Sequence, residues 1–219
     1  MSKNEFKQRL FEQFAKVGKA LSSPSRLEIL EFLAQSEKSV ENLTTLTGLS
    51  FANTSQHLQQ LRHAGMVVAR KEGQRVFYRL ADEAAIDLLN MLRDIAEKNL
   101  AEVDQIINTY LKVKDTLEPV EAEDLLQRIK DGLVIVLDVR PADEYAAGHV
   151  PGSINVPLKE LEKQIKKLDN KKEIIAYCRG PYCVLSYDTV VMLRNKGFKA
   201  RRLKDGMPEW KRAGLPVEK

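Results

Sequence analysis

Between Asp82 and Glu118 the chain contains neither glycine nor proline, and Ala85, Leu89, Leu92, Ala96, Val103, Ile107 and Tyr110 recur three, four or seven residues apart. That spacing lays them along one stripe of an α-helix, so a single long helix is expected from Asp82 to Leu111. It separates two halves that follow different patterns, helices and a hairpin before it and strands alternating with helices after it. A helix this long projecting from a small domain cannot bury such a stripe alone. A helix from a second copy is the natural cover, and a homodimer is expected.

Composition fits that division. The 219 residues are 43% hydrophobic and 30% charged, which excludes collagen-like, disordered and disulfide-scaffold classes, and the length suits two small domains. The longest aliphatic run, Leu133 to Leu137, falls far short of a membrane span, and Met1 to Glu5 leads into no secretory apolar core. No membrane partner and a cytoplasmic location are expected. Cys178 and Cys183, the only cysteines, read as reactive thiols rather than a secreted framework.

Ahead of the long helix, Phe6, Leu10, Phe14, Val17 and Leu21 form one helical stripe. Ser22-Ser23-Pro24 reads as a cap with proline in the first turn of a second helix carrying Leu27, Leu30 and Leu33. Ser39 caps a short helix with Val40, Leu43 and Leu46 that Gly48 closes, and Ser50 caps another that stops at Gly65. From Met66 to Leu80 the period changes to two, with Val67, Ala69, Val76, Tyr78 and Leu80 on one face and Glu72-Gly73 at the centre of a hairpin. Two short helices meeting at a tight turn and followed by a hairpin make a winged helix-turn-helix.

Net charge is only +4, yet Ser50 to Leu80 holds Arg62, Arg70, Lys71, Arg75 and Arg79 against a single acid, Glu72. Such an excess suits a nucleic-acid contact and equally an exposed face with no partner. In the helix after Ser50, Thr54, Leu58 and Leu61 mark the buried side, while Ala52, Gln56, Gln59 and His63 point away, flanked by Asn53 and Ser55. Asn, Gln and Ser can bond base edges in the major groove, and Arg62, Lys71 and Arg75 can hold phosphates. A solvated polar helix face gives the same pattern.

The segments "ALSSPSRLEILEFL" and "LTGLSFANTSQHLQQLRHAGMVVARKEGQRVFYRL" resemble the second-helix signature and the reading helix and wing of ArsR-type winged-helix repressors. The likeness spans about residues 5 to 113. It implies a dimeric transcriptional repressor on a double-stranded DNA operator, with Asn53, Ser55, Gln56 and Gln59 as base readers. Many members of that family sense metals through cysteine in the third helix or through acid and histidine residues in the last. Here Val40 to Thr47 has no Cys or His, the long helix has no His, and His57 and His63 read as surface or packing residues. No metal is expected, and the signal must enter elsewhere.

Lys112 to Pro119 is charged, loses periodicity and ends in proline. The expected domains are therefore 1–113 and 120–219, joined by a linker at 114–119. Glu121 to Ile129 looks helical, Leu133 to Val139 and Ile174 to Tyr177 are apolar strands, and Val184 to Asn195 is a helix stopped by Gly197. Strands alternating with helices imply an α/β domain with a parallel sheet. The fold class is multidomain, a mainly α winged helix-turn-helix followed by that α/β domain.

Cys178 follows an apolar strand, and a short loop with Gly180 leads into the helix beginning near Val184. Backbone N–H groups of such a loop and the helix dipole stabilise an anion. The same field favours thiolate over thiol, with Arg179 able to help, so Cys178 is poised as a nucleophile. The segments "VIVLDVRPADEYAAGHVPGSINVPL", "AYCRGPYCVLS" and "LKDGMPEWKRAGLPV" resemble, in order, the opening signature, active loop and closing signature of rhodanese domains, over about residues 117 to 219. The resemblance implies a persulfide on Cys178 formed from a sulfane sulfur donor such as thiosulfate or polysulfide and passed to a thiol. No cofactor is implied.

Cys183 stands where rhodaneses often carry a basic residue, and Pro181 removes one N–H donor, which disfavours ordinary thiosulfate turnover. The two cysteines form either a functional pair, through a disulfide or an inserted sulfur, or a nucleophile with a packing residue. Phosphatases and arsenate reductases of related fold carry an arginine where Val184 stands, which argues against phosphoester chemistry. Asp138 and Arg140 are expected to brace the loop, and Trp210 to pack the closing segment. Two functions fit: a DNA-binding regulator that responds to reactive sulfur, or a sulfurtransferase whose DNA-binding half is accessory.

Overall fold

The computed structural model describes residues 1–219. The chain forms two compact units, Met1–Met91 and Leu92–Lys219, and the boundary falls within a helix.

The first unit opens with α1 (Lys3–Leu21), capped by Ser2, and α2 (Pro24–Gln35), which has proline in its first turn. Ser39 Oγ accepts from Asn42 N to start α3 (Val40–Thr47), and Gly48 ends it at φ 69°, the left-handed geometry that glycine adopts without steric cost. Ser50 Oγ likewise accepts from Asn53 N at the start of α4 (Phe51–His63). Strands β2 (Val67–Glu72) and β3 (Arg75–Leu80) pair antiparallel, and β1 (Lys38–Ser39) adds to β3, giving the order β1-β3-β2.

Register pairs Val67 with Leu80, Ala69 with Tyr78 and Glu72 with Arg75. The hairpin turn is therefore Gly73-Gln74 rather than the expected Glu72-Gly73. Gly73 supplies a positive φ of 59° at the first central position, which a two-residue hairpin demands of one of its residues. Ile29, Leu30, Leu43, Leu58 and Leu61 are fully buried in the core, each contributing about 1.5–3 kcal/mol on burial.

The stripe of α1 is largely uncovered, and the expected single long helix is interrupted. On α1 only Ala20 and Leu21 are buried, while Phe6, Leu10, Phe11 and Phe14 are exposed. The long helix is not continuous: α5 (Ala84–Asn99) ends where Leu100 turns extended at φ −111°, ψ 105°, then α6 (Ala101–Ile106) runs into a π-helical turn at Ile107–Lys112. Asn99 Nδ2 donates to Ile95 O at 2.8 Å at this break, an amide side chain competing for a helix carbonyl as such residues do.

The second unit holds α7 (Ala122–Lys130), β4 (Val134–Asp138), α8 (Ala142–Ala146), β5 (Ile154–Asn155), α9 (Leu158–Gln164), β6 (Glu173–Tyr177), α10 (Val184–Asn195), β7 (Ala200–Arg202) and α11 (Met207–Arg212). The four strands are all parallel, in the order β5-β4-β6-β7. Ile174, Ile175, Ala176 and Tyr177 are fully buried, because helices cover both faces of a parallel sheet. One core lies against α9 and α10, and the other lies against α7 and α11.

Residues 114–119 are fixed to this unit. Asp115 is buried and accepts from Arg194 Nη1 at 2.8 Å and Arg202 Nε at 2.9 Å, and Lys114 Nζ lies 2.7 Å from Asp188 Oδ1. No helix is long and apolar enough to cross a membrane.

Candidate nucleic-acid interface and cysteine loop

On α4 the expected division of faces is present. Thr54, Leu58 and Leu61 are buried, Asn53, Gln56 and Gln59 are exposed, and Ser55 is half-buried. Arg62 near the end of α4, Lys71 on β2 and Arg75 on β3 are also exposed. Arg70 behaves differently from its basic neighbours: it pairs with Glu72, and its Nη2 lies 2.5 Å from Glu37 Oε2. The guanidinium beside Glu37 holds that carboxyl below the usual range. Arg70 is thus matched by acids, while Lys71, Arg75 and Arg79 of the wing are exposed.

Sequence reasoning missed Arg26, which orients this helix. It is buried and donates to Ala20 O and Lys19 O at the end of α1, and its Nη1 reaches Gln60 Oε1 on α4 at 2.5 Å. One cation thus satisfies the terminal carbonyls of α1 and ties them to α4.

In the second unit, Cys178 directly follows β6, and the loop Cys178 to Cys183 leads the chain to the start of α10. The structure brings the two cysteines together as a disulfide with Cα atoms 6.1 Å apart, within the ordinary span for such a bond. Cys178 is buried and Cys183 half-buried. Gly180 O accepts from Cys183 N at 3.1 Å, so that amide closes the loop on itself. Cys183 is the residue before the first turn of α10, and its carbonyl accepts from Ser186 N and Oγ. A thiolate there feels the positive end of the helix dipole.

Arg179 is anchored to α8. Its Nε and Nη2 grip Glu144 of α8 at 2.9–3.1 Å, and the Glu144 side chain is 0% exposed. Asp138 and Arg140 form a buried pair, both side chains 0% exposed. Asp138 Oδ2 also accepts from Tyr177 Oη at 2.6 Å, Tyr177 Oη accepts from Val150 N at 3.0 Å, and Arg140 Nη2 donates to Gly148 O at 2.9 Å. Burial, with Asp138 adjacent, drives the Tyr177 phenol far above its usual range. These bonds brace the residue just before Cys178 and the segment after β4.

The opposite flank of the loop is set by α11. Met207 N donates to Cys178 O at 3.2 Å, and Gly206 sits so close that a Cβ there would lie 2.3 Å from Arg179 C and O and Gly180 N. Glu209 accepts from Gly206 N at 3.1 Å, and burial pushes its carboxyl up. Trp210 is buried and its Nε1 donates to Pro216 O at 2.7 Å. Glu144, Tyr177 and Gly206 were missed from the sequence. The Asp-Gly step before Met207 was a signal for Gly206, but nothing in local spacing marked Glu144.

Two family models match the chain, "Bacterial regulatory protein, arsR family" over residues 23–68 and "Rhodanese-like domain" over residues 121–213. The HTH-type transcriptional regulator Rv0324 of Mycobacterium tuberculosis is 42% identical over 212 residues, covering 97% of this chain and 93% of that protein. The HTH-type transcriptional regulator YgaV of Escherichia coli is 39% identical over 85 residues, 38% of this chain and 86% of its own length. The homodimeric winged helix-turn-helix DNA-binding domain of Mb0332 from Mycobacterium bovis is 41% identical, with a TM-score of 0.42, covering 46% of this chain and 91% of that one. Both family models and a relative matched almost end to end make the chain a member of the ArsR-family helix-turn-helix transcriptional regulators that carry a C-terminal rhodanese-like domain.

Proposed function

We propose that this regulator responds to sulfane sulfur through Cys178 and Cys183 and thereby changes its affinity for DNA. The observation that carries this reading is the pairing of the two cysteines across the loop. From the dithiol form, the Cys178 thiolate attacks a sulfane sulfur of polysulfide. The donor's S–S bond breaks, a persulfide forms on Cys178, and the shortened polysulfide leaves with the electron pair. Attack by the Cys183 thiolate on Cys178 Sγ then expels hydrosulfide and leaves the disulfide. The sulfane sulfur is the oxidant, and no other electron acceptor is needed. The near-complete burial of Cys178 favours a small donor.

The DNA half acts as a homodimer on a palindromic duplex, in the cytoplasm. The reading helix is α4, with Asn53, Ser55, Gln56 and Gln59 toward base edges and Arg62, Lys71 and Arg75 toward phosphates. Exposed Phe6, Phe11 and Phe14, each more than half accessible on α1, support a second copy as their cover, since contiguous apolar surface of this kind marks an interface.

The test treats the reduced full chain with polysulfide, follows both cysteines by mass spectrometry and titrates a palindromic duplex selected by the reduced protein. Wild type should pass to the disulfide with altered DNA affinity, Cys183→Ser should stop at a persulfide on Cys178, and Cys178→Ser should not respond. Unchanged DNA affinity of the treated wild type overturns the sensing role. Continuous release of sulfite from thiosulfate instead establishes a sulfurtransferase with an accessory DNA-binding half.

A further inference from the structure

We propose that Arg93, acting through Tyr182, carries the state of the Cys178–Cys183 loop into α5. This deepens the sulfur-sensing function proposed above and rests on it.

Tyr182 stands between Pro181 and Cys183, and the Arg93 guanidinium lies over its ring at 6.0 Å from the centroid. Arg93 Nη1 also pairs with Glu209 Oε1 at 3.3 Å, with both side chains largely sheltered, 21% and 15% exposed. Glu209 in turn accepts from the amide of Gly206, the residue that abuts Arg179 and Gly180. The cysteine loop is thus clasped on two sides, by Gly206 and by Arg93, and Glu209 joins the two. Sheltered cation–π and ion-pair contacts of this kind depend on placement.

Cys183 is bonded to Cys178 on one side and to Tyr182 along the chain. Opening the disulfide, or loading Cys178 with sulfur, frees Cys183 from Cys178. The Tyr182 ring is the large side chain next to that change. Arg93 reads it from α5, which is continuous from Ala84 to Asn99. Ala85, Leu89 and Arg93 are spaced by four, on one stripe of that helix, and Ala85 and Leu89 belong to the core that also holds Leu58 and Leu61 of α4. A shift at Arg93 therefore acts on a helix whose earlier turns pack in the core of the reading helix.

Such coupling is reciprocal. If oxidation of the loop changes DNA affinity by some factor, bound DNA must change the dithiol–disulfide equilibrium by the same factor. The experiment uses the full chain and a palindromic duplex selected by the reduced protein. It measures DNA affinity in the dithiol and disulfide forms, and the dithiothreitol–disulfide equilibrium with and without that duplex. In wild type the two forms should differ by about 5- to 150-fold, with a matching displacement of the thiol equilibrium by DNA.

Arg93→Ala should bring both ratios close to unity while the reduced protein keeps its DNA affinity. Tyr182→Leu should do the same, and Tyr182→Phe, which keeps the ring, should keep the coupling. Full coupling in both Arg93→Ala and Tyr182→Leu overturns this inference and leaves sulfur sensing standing. Equal DNA affinity of the two wild-type forms overturns the sensing function itself.

Discussion

Gly206 tests how tightly the cysteine loop is held. Its φ of −112° and ψ of −171° are open to any residue, so the constraint is space rather than backbone strain. A methyl group on its Cα would lie 2.3 Å from Arg179 C and O and Gly180 N, whereas carbon contacts are comfortable from about 3.5 Å. Backbone atoms cannot rotate aside as a side chain can, so Gly206→Ala must part the loop from the start of α11 by about 1 Å. That displacement also stretches the bond from Met207 N to Cys178 O, 3.2 Å long in the native fold. Overpacking costs about 1–3 kcal/mol, and the strained hydrogen bond places the expected loss at the upper end.

Trp210 is the only tryptophan and is buried in the second unit, so its fluorescence during urea unfolding reports on that unit. Gly206→Ala should lower the Trp210 midpoint and slow polysulfide-driven disulfide formation. Gly18 is the control: no heavy atom lies within 4 Å of a Cβ there, and it sits inside α1. Gly18→Ala should stabilise that helix by about 0.5–1 kcal/mol without moving the Trp210 transition. An unchanged midpoint together with an unchanged reaction rate in Gly206→Ala would refute the steric argument.

On the DNA side, Gln56→Ala should weaken specific binding by roughly 1–3 kcal/mol while sparing non-specific binding; equal losses on both duplexes remove Gln56 from the base readers. Lys71→Ala should weaken all sequences and flatten the salt slope by about one unit, and an unaltered slope rules out a phosphate contact. For Asp115, burial would raise the carboxyl pKa, but Arg194, Leu117 N and Arg202 overcome it and hold the pKa below the ordinary 3.8. A depressed carboxylate contributes stability above the unfolded-state pKa and loses it as pH falls through the folded value. Asp115→Asn should cost about 3 kcal/mol at neutral pH, the lower end for a broken buried pair because Arg194 stays partly solvated. The gap to wild type should close as pH drops below 3.8, and a gap that persists in strong acid contradicts the ionic account.

Where local rules dominate, the sequence was legible. Ser39, Gly48 and Ser50 cap as their residue types require, and the alternation from Val67 to Leu80 marks two paired strands, although the turn between them falls one residue later than expected. Leu133 to Leu137 and Ile174 to Tyr177 announce buried parallel strands by their unbroken apolar runs. The misreadings came where tertiary partners decide. Nothing periodic distinguishes Leu100 from its neighbours, yet the helix breaks there. Lys112 to Pro119 looks like a solvated tether because its charges are visible and their partners Asp188, Arg194 and Arg202 are far along the chain. Arg70 reads as one more basic residue of the wing because its partner Glu37 is distant in sequence.

The largest revision to the site concerns Arg179, and it bears on which donor the loop suits. Beside Cys178 in sequence, that arginine promised direct support for a thiolate; in the fold its guanidinium is matched by a fully buried carboxylate, Glu144. Two opposite charges at hydrogen-bond distance largely cancel at any third point farther away, so the pair adds little net field at the sulfurs. The dipole of α10 remains, and it fades within the first turn. Cys183, immediately before Val184, is the cysteine placed to use it, which suits a resolving thiolate in the proposed sequence of steps. Thiosulfate would bring two negative charges into a loop where the nearest arginine is already neutralised. A hydropolysulfide leads with a neutral sulfur and keeps its charge at the far end, so it enters the same loop with less desolvation. On these grounds the electrostatics of the loop favour polysulfide over thiosulfate as the donor in the proposed sequence of steps.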